Sequence, residues 1–393
     1  KSNNKFKNIN EPIAVIGMSC RFPGGANSLD EYWKLLDNGL DVVTEVPSDR
    51  WSLDEYYDPN PDVPGKMYCK WGGFLNTKIS DFDASFFNIS PLESETMDPQ
   101  QRLLLEVTWE ALENSTINPY SLKNTATGVF IGASTADYSD LSQVENKIIS
   151  YTNSGMNRSV LSGRISYILG LQGPSFVVDT ACSSSLVAIH QACRSLREGE
   201  SNVAIAGGVN LMITPAYTIG FCKGRYLAVD GKCKTFDDSA NGYVRGEGCG
   251  IIILKRLSDA KKDGDNILAV IKGTAVNQDG ASSGLTVPNG PAQEKVISQA
   301  LYDANVQPSD INYVEAHGTG TSLGDPIEVH ALMNVLKLGR DKSQPLIISS
   351  VKTYFGHLEA AAGMAGLIKI ILSMQHEKIP KHLHFKKLNH NIH

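Results

Sequence analysis

The stretch VDTACSSSLVAIH, residues 178–190, decides the fold because its periodicity changes in the middle. The segment that leads into it, PSFVVDTA (174–181), is rich in apolar and β-branched residues and predicts a strand. After Cys182 the apolar residues recur at helical spacing, at Leu186, Ile189, Cys193 and Leu196. The sequence therefore predicts a strand that passes directly into a helix, with a thiol at the junction.

The alternation of strand and helix patterns continues outward from this junction and predicts an α/β layered fold. The predicted strands cover residues 12–20, 128–134, 174–181, 202–210, 250–257, 267–276, 311–318 and 346–352. The predicted helices cover residues 100–114, 184–198, 290–304, 325–337 and 358–376. A polar break, SDAKKDGDN at residues 258–266, divides the chain into a longer first lobe and a shorter second lobe.

Two segments follow neither pattern. Residues 45–95 are rich in Pro, Asp, Tyr and Trp, and aromatic residues such as Trp51 and Trp71 are uncommon in disordered linkers, so we expect an ordered excursion over the surface. The amino end, residues 1–10, is polar and lacks an apolar signal segment. We interpret it as a linker or as the cut end of a longer chain.

Composition excludes several classes of protein. The 393 residues carry a formal net charge of -6, so no nucleic-acid footprint is predicted, and no apolar run is long enough to predict a membrane span. Seven cysteines form an odd set without C-x-x-C spacing, which argues against a disulfide framework or a zinc site. They favour a reducing compartment, which predicts a cytoplasmic protein.

Cys182 is the first candidate catalytic residue. A thiol at the amino end of a helix lies at the positive end of the helix dipole, which is expected to lower its pKa toward the reactive thiolate. The serines at 183–185 suit a first helical turn as capping hydroxyls. The alternative is a buried structural cysteine, as we expect for Cys193 within the apolar face.

Two histidines stand at similar junctions. In VEAHGTGTSLGDPIE (314–328), His317 follows a strand and precedes a glycine-rich turn, and Asp325 has the position of the next helix's N-cap. In SSVKTYFGHLEAAAG (349–363), His357 opens a helix rich in small residues, and Lys352 precedes it in the same turn. The ends of strands are where α/β folds carry their chemistry. For His317 the alternative is a loop histidine that bonds only to backbone.

Two metal sites are weighed against this constellation. Cys182, His317 and His357 are possible ligands, but they lack the close spacing that metal ligands usually show in sequence. The tail HLHFKKLNHNIH holds His382, His384, His390 and His393, which suit a solvated loop better than a metal site. The sequence therefore predicts no metal.

With these residues in place, the chain resembles the β-ketoacyl synthase (ketosynthase) domain of type I polyketide synthases, in the thiolase superfamily. The resemblance covers residues 11–393 and rests on five motifs taken together. These are EPIAVIGMSCRFPGG (11–25), DTACSSSL (179–186), KCKTFDDSANGYVRGEG (232–248), EAHGTGTSLGDPIE (315–328) and KTYFGHLEAAAG (352–363). It implies a thiolase-like five-layered αβαβα fold of two similar halves that works as a homodimer.

The resemblance also implies roles. Cys182 would accept an acyl chain from an acyl carrier protein. His317 and His357 would help to decarboxylate a malonyl-type extender and stabilise the enolate oxygen, with Lys352 supporting their electrostatics. Thr319 and Thr321 would bond to the phosphopantetheine arm of the carrier, while no cofactor would be bound to the domain itself.

The implied organisation places the nucleophile in residues 11–259 and the histidines in residues 260–393, beside other domains of a megasynthase. The sequence departs from the family pattern at Tyr354, where many relatives carry Asn, and it stops at His393 before a Phe/Gly-rich loop and the last two strands, so the second half looks truncated. Two alternatives stay open: a non-elongating ketosynthase-like domain that passes on acyl chains as a scaffold, and a free-standing lipid synthase.

Overall fold

The computed structural model describes residues 10–144, 148–341 and 343–393 of the chain. The predicted linker therefore lies almost wholly outside the described residues. The strands are β1 Ile13–Arg21, β2 Thr44–Glu45, β3 Trp71–Gly72, β4 Thr127–Gly132, β5 Ser175–Val178, β6 Val203–Asn210, β7 Gly248–Arg256, β8 Ala269–Ile271, β9 Tyr313–Glu315 and β10 Ile347–Ser349. The helices are α1 Leu29–Asn38, α2 Leu53–Tyr56, α3 Pro91–Thr96, α4 Pro99–Asn114, α5 Asp137–Val144, α6 Thr152–Met156, α7 Ser159–Leu169, α8 Ser184–Glu198, α9 Ala216–Lys223, α10 Leu257–Asp263, α11 Gly290–Ala304, α12 Gly324–Leu336, α13 Lys352–Phe355 and α14 Ala362–Gln375.

The main sheet has six strands in the order β5-β4-β6-β7-β1-β8. Strands β4, β5 and β6 are parallel, whereas β7 runs antiparallel to both β6 and β1. Along β1, Ile13 and Val15 point into one hydrophobic cluster while Ala14 and Ile16 point into another. The sheet is therefore buried on both faces, as its nearly continuous apolar strands require.

The layers on either side of this sheet give the order α, β, α, β, α. Helices α4 and α7 cover one face, while α8 and α14 cover the other. Beyond α14 lies the parallel pair β9 and β10, joined to α14 by the ion pair between Glu315 and Lys369. Helices α11 and α12 pack on the outside of that pair through Ile297, Leu332 and Ile348. The predicted five-layered αβαβα fold is confirmed.

The predicted elements are found at their predicted places, although some are shorter. Strand β8 has three residues where ten were predicted, and it pairs with β1 in the main sheet, because its apolar residues Ala269 and Ile271 pack on that sheet's core. The five predicted helices correspond to α4, α8, α11, α12 and α14; the other helices, and the two-residue strands β2 and β3, were not predicted. Residues 45–95 contain only short elements around a cluster that buries Trp51, Met67 and Tyr68, so this excursion is ordered as expected.

Within the described ranges, no helix is both long and apolar enough to cross a membrane.

Candidate active site

The turn that carries Cys182 is held in an unusual backbone conformation. Ala181 has φ +55°, which side chains rarely adopt without support. The support comes from its neighbours, because Ala181 N donates to Asp179 Oδ1 at 3.2 Å and Ser184 Oγ donates to Ala181 O at 2.6 Å. The hydroxyls of Ser183 and Ser184 bond back to this turn, and the buried Ser185 hydroxyl has no partner among the described residues. In contrast to the prediction, no serine side chain caps α8.

Two glycines allow α8 to begin against the main sheet. A Cβ at Gly132, at the end of β4, would lie 2.4 Å from Ser185 N, and one at Gly208, in β6, would lie 2.7 Å from Ser185 Cβ. Larger residues would push the helix away from the strand ends. These glycines therefore fix where Cys182, at the start of the helix, lies above the sheet.

The loop after β9 carries His317. Its N–H donates to Glu328 Oε1 at 2.6 Å, and its carbonyl oxygen accepts a hydrogen bond from Lys352 Nζ at 2.6 Å. The other oxygen of Glu328 accepts from Gly318 N at 2.8 Å. The backbone of the loop is therefore fixed between an acidic and a basic side chain. The prediction that Asp325 is the N-cap of the next helix is wrong, because Leu323 is the N-cap residue of α12. The Asp325 carboxylate instead accepts a hydrogen bond from Phe236 N at 2.7 Å.

His357 lies between α13 and a 3-10 turn at Glu359–Ala361, so it precedes α14 and does not open it as predicted. Its backbone N–H donates to Val244 O at 2.7 Å, and its carbonyl accepts from Gly246 N at 2.8 Å. Its Nδ1 accepts the N–H of Glu359 at 2.9 Å. A neutral imidazole with an occupied Nδ1 acceptor carries its hydrogen on Nε2, so His357 presents an N–H donor there.

These three turns bring Cys182, His317 and His357 together. The sulfur and one nitrogen of each ring lie within 4.8 Å of one another, and the two imidazole centroids are 5.3 Å apart at an interplanar angle of 85°. Cys182 and His317 are exposed, whereas His357 is buried. The arrangement forms a site that is open on one side and closed by protein on the other.

The electrostatics of the site favour neutral groups. Although one side of Cys182 and of His317 faces solvent, the protein packed around the site removes much of the water from all three side chains. This desolvation lowers the pKa of His317 to about 3 and also lowers the pKa of His357, and the nearby Lys352 ammonium lowers both further. Burial likewise raises the pKa of the Cys182 thiol, and Lys352 offsets part of that rise. The lowered thiol pKa expected from the helix dipole is therefore wrong in direction. At neutral pH the site holds a thiol and two uncharged imidazoles.

Other cysteines differ clearly from Cys182. Cys193 is fully buried in the main core, and burial raises its pKa to about 12. All seven cysteines are free thiols, and Cys182 is the exposed one. The structural role expected for Cys193 agrees with this placement.

The site could be considered as a metal centre, because three donor side chains converge on it. The Lys352 ammonium opposes this, since the positive charge that lowers the pKa of both imidazoles also repels a cation. Among the described residues, the tail histidines His382, His384, His390 and His393 form no such group.

The predicted phosphopantetheine contacts lie in the His317 loop. Thr319 and Thr321 are half-buried and their hydroxyls lie 3.3 Å apart. Thr321 Oγ1 also accepts from Gly324 N at 3.1 Å, at the start of α12. Both hydroxyls are thus on the loop that carries His317.

Tyr354 does not belong to the site. Its side chain is fully buried in the main core, and its hydroxyl donates to Leu36 O at 3.2 Å and also to Lys381 O. The ring thereby ties α13 to the end of α1 and to the carboxyl-terminal tail.

Sequence reasoning missed three residues that support the site. Glu328 holds the backbone of the His317 loop, while Arg245 and Glu359 form a buried ion pair next to His357. All three lie in the motifs that carry the family resemblance, but only the folded chain brings them to the histidines.

Comparison with known proteins defines the class. The family model described as "Beta-ketoacyl synthase, N-terminal domain" matches residues 10–260, and the one described as "Beta-ketoacyl synthase, C-terminal domain" matches residues 268–386. The chain therefore belongs to the β-ketoacyl synthase family of acyl-transferring condensing enzymes, and its resemblance to the ketosynthase domains of type I polyketide synthases is confirmed.

Several individual proteins are similar to the chain. A component of the phenolphthiocerol/phthiocerol polyketide synthase of Mycobacterium tuberculosis is 51% identical over 384 residues, which are 97% of this chain and 21% of that protein. Pikromycin polyketide synthase component PikAII of Streptomyces venezuelae is 49% identical over 97% of this chain and 10% of that protein. The chain thus spans about a fifth or less of the length of these relatives.

Solved ketosynthase structures share the fold. The oxazolomycin ketosynthase domain OzmH KS7 of Streptomyces albus JA3453 matches with a TM-score of 0.92 and 42% identity, over 97% of this chain and 66% of that one. The ketosynthase from module 6 of the bacillaene synthase of Bacillus subtilis 168 matches with a TM-score of 0.89 and 40% identity, over 98% of this chain and 64% of that one.

Proposed function

We propose that this chain elongates an acyl chain by decarboxylative condensation in polyketide biosynthesis, with Cys182 as the nucleophile. The observation that carries the proposal is the cluster of one thiol and two uncharged imidazoles within 4.8 Å. A thiol suits acyl transfer because thioesters form and break readily. Two imidazoles suit decarboxylation because they can donate to a developing oxyanion.

The first half-reaction loads the acyl chain. The Cys182 sulfur forms a bond to the acyl carbon of a carrier thioester, and the bond from that carbon to the phosphopantetheine sulfur breaks. Because burial raises the pKa of the thiol, its proton needs an acceptor, and a neutral imidazole of the pair can take it and pass it to the departing sulfur.

The second half-reaction extends the chain. The carboxylate of a malonyl-type carrier thioester leaves as carbon dioxide, and the electron pair of that bond forms an enolate. Its oxygen is stabilised by N–H donors of His317 and His357. The enolate carbon then bonds to the acyl carbon on Cys182, the bond from that carbon to the Cys182 sulfur breaks, and the released thiolate takes up a proton from water.

Other side chains support these steps. Lys352 fixes the His317 loop through the carbonyl of His317, and its charge adds to the effect of burial in keeping both imidazoles neutral. The hydroxyls of Thr319 and Thr321 bond to the phosphopantetheine arm of an acyl carrier protein. That arm arrives with the substrate, so the domain binds no cofactor of its own.

We place the two halves of this machinery on different parts of the chain. Residues 11–259 carry the nucleophile, and residues 260–393 carry both histidines and Lys352. The seven free thiols support work in a reducing compartment such as the cytoplasm.

The scaffold alternative is tested by product formation. The protein is loaded with an acyl carrier thioester, supplied with a malonyl-type carrier thioester, and the carrier is analysed by intact mass spectrometry. An elongating enzyme forms a β-ketoacyl carrier and releases carbon dioxide. Stable loading of Cys182 without either product would favour the scaffold.

Further domains of a megasynthase are expected beside this one, because the matched region is only 21% of one relative and 10% of the other.

We also propose a homodimer. Strand β5 lies at the edge of the main sheet with Ser175 and Phe176 exposed, and an open edge of this kind can pair with its counterpart in a second copy. Analytical ultracentrifugation of the wild type and of Phe176→Lys measures this, and a wild-type monomer at micromolar concentration would contradict it.

A further inference from the structure

The ring of His357 depends on a hydrogen bond from the backbone. Its Nδ1 accepts the N–H of Glu359 at 2.9 Å. Rotation of the peptide before Glu359 would remove this donor, and the imidazole proton could then move to Nδ1. The backbone conformation at Glu359 therefore determines which nitrogen of His357 carries the hydrogen.

That backbone conformation is one that glutamate rarely adopts. Glu359 has φ +49°, in the left-handed region where non-glycine residues need support from their surroundings. A turn that relied on local preference alone would put a glycine or an asparagine there. The support must therefore come from contacts of the Glu359 side chain or of its neighbours.

The Glu359 side chain is held by Arg245 in two-point contact. Arg245 Nε donates to Oε1 at 2.5 Å and Nη2 donates to Oε2 at 3.0 Å. The third nitrogen, Nη1, donates to Thr218 Oγ1 at 2.7 Å, and the guanidinium lies 5.2 Å from the ring centroid of Phe221. Arg245 is 1% exposed, so the planar fork is fixed on every side.

The segment that carries Arg245 also fixes the backbone of His357. Val244 O accepts from His357 N at 2.7 Å, and Gly246 N donates to His357 O at 2.8 Å. Residues 244–246 thus fix His357 in two ways. Val244 and Gly246 bond to its backbone, and Arg245 holds Glu359, whose N–H bonds to the His357 ring.

We propose that Arg245 and Glu359 are positioning residues that lock His357 in the Nε2–H tautomer, and that they thereby control the decarboxylation step. The effect on rate rests on the proposed function. The tautomer does not, because it is a property of the resting protein.

The first test is therefore spectroscopic. Protein labelled with ¹⁵N-histidine is compared as wild type, Arg245→Lys and Glu359→Gln, with the His357 signals assigned by their loss in His357→Gln. The wild type should show one protonated and one unprotonated nitrogen, with the proton on Nε2. In Arg245→Lys and Glu359→Gln the His357 signals should shift toward an average of the two tautomers. The lysine lacks the planar guanidinium that makes two hydrogen bonds, and the glutamine lacks the negative charge of the carboxylate.

The second test separates the two half-reactions. Carbon dioxide release should fall on the order of 10-fold to 100-fold in both pair variants, since a misaligned donor no longer meets the enolate oxygen. Acyl loading of Cys182 should fall less. The control is Arg164→Lys, which alters another ion pair with a buried guanidinium, Arg164 with Glu93, at helix α7 on the opposite face of the main sheet from α14. It should leave the His357 signals and the ratio of the two rates unchanged.

Failures of the two ideas are distinguishable. A wild type that shows the fixed tautomer but releases no carbon dioxide would reject the proposed function and keep the positioning role. A His357 tautomer unchanged in both variants would overturn the positioning role, as would equal losses of loading and decarboxylation that match the loss of folded protein. If Glu359→Gln does not fold, Arg245→Lys decides the matter by the same two measurements.

Discussion

The two histidine turns of the site hold their residues in different ways. At His317 the protein fixes the backbone, with Glu328 on its N–H and Lys352 on its carbonyl, and within the described residues no hydrogen bond reaches either ring nitrogen. At His357 the backbone is fixed as well, but the ring also accepts a hydrogen bond from Glu359 N. One imidazole is free to exchange its proton, and the other is a dedicated donor.

This difference indicates how two histidines can perform different tasks in one reaction. A ring without a fixed tautomer can take a proton from Cys182 and return it, whereas a fixed Nε2–H is suited to an oxyanion that forms and disappears. Both tasks require neutral imidazoles, which burial and Lys352 provide. Single substitutions in the site can test this division.

The largest effect on activity is expected from substitution of Cys182, the nucleophile beside both histidines. Cys182→Ala should abolish covalent loading by an acyl carrier thioester, because the other cysteines are buried and lack the two imidazoles. Intact mass spectrometry measures the adduct. Cys193→Ala is the matched control and should load like the wild type; an adduct on Cys182→Ala at the wild-type level would contradict the assignment.

The division between the histidines predicts unequal losses. His317→Ala and His357→Ala should each lower carbon dioxide release on the order of 100-fold to 1000-fold, because each removes a donor to the enolate oxygen. Acyl loading should fall more in His317→Ala than in His357→Ala, since His317 has the free ring. Measured separately, the two rates test the comparison directly.

The double variant provides the check on this interpretation. Because both donors serve one oxygen, the two losses of carbon dioxide release should not add. Normal release from either single variant would remove that histidine from the pair, and release retained by both would reject the decarboxylating mechanism.

The sequence predicts most of the framework and the reacting groups. The junctions at Cys182 and His317 follow from local periodicity and turn chemistry, and helices α4, α8 and α11 begin and end within a residue of their predicted bounds. These features depend on residues that are close together in the chain.

What the sequence could not predict depends on contacts between distant residues. Arg245 and Glu359 are 114 residues apart, and neither local pattern reveals that they form an ion pair beside His357. The direction of the pKa shift at Cys182 was missed for the same reason, because the burial that raises this pKa is a property of the folded chain. The glycine-rich turns in the sequence indicate where the site lies, but they do not indicate that Arg245 and Glu359 support it.

Lys352 offers a prediction about pH. Its charge lowers the pKa of Cys182 and of both imidazoles, so Lys352→Met should raise all three. At any given pH the thiolate fraction of Cys182 is then smaller, and alkylation by iodoacetamide should be slower than in the wild type. In both proteins the rate should rise with pH, with a midpoint above the ordinary thiol pKa.

The wild-type profile should also lack a step near pH 6.5, because the pKa of His317 is about 3 and that of His357 is lowered as well. Lys255→Met, which removes a lysine at the end of β7 that pairs with Asp263 and Asp265, serves as the control and should reproduce the wild-type profile. A thiol midpoint that is unchanged in Lys352→Met would show that this lysine does not act through its charge.

The smallest effect is expected at Tyr354, whose position in the His357 motif suggests a contact with substrate. The structure directs its hydroxyl away from the site, toward the carbonyls of Leu36 and Lys381. Tyr354→Phe keeps the buried ring and removes only those hydrogen bonds, so the free energy of unfolding should fall by about 1 kcal/mol. Chemical denaturation measures that loss, while acyl loading and carbon dioxide release should match the wild type. A change in either rate without a loss of stability would place Tyr354 in the site after all, and the two histidine turns would then no longer account for the chemistry by themselves.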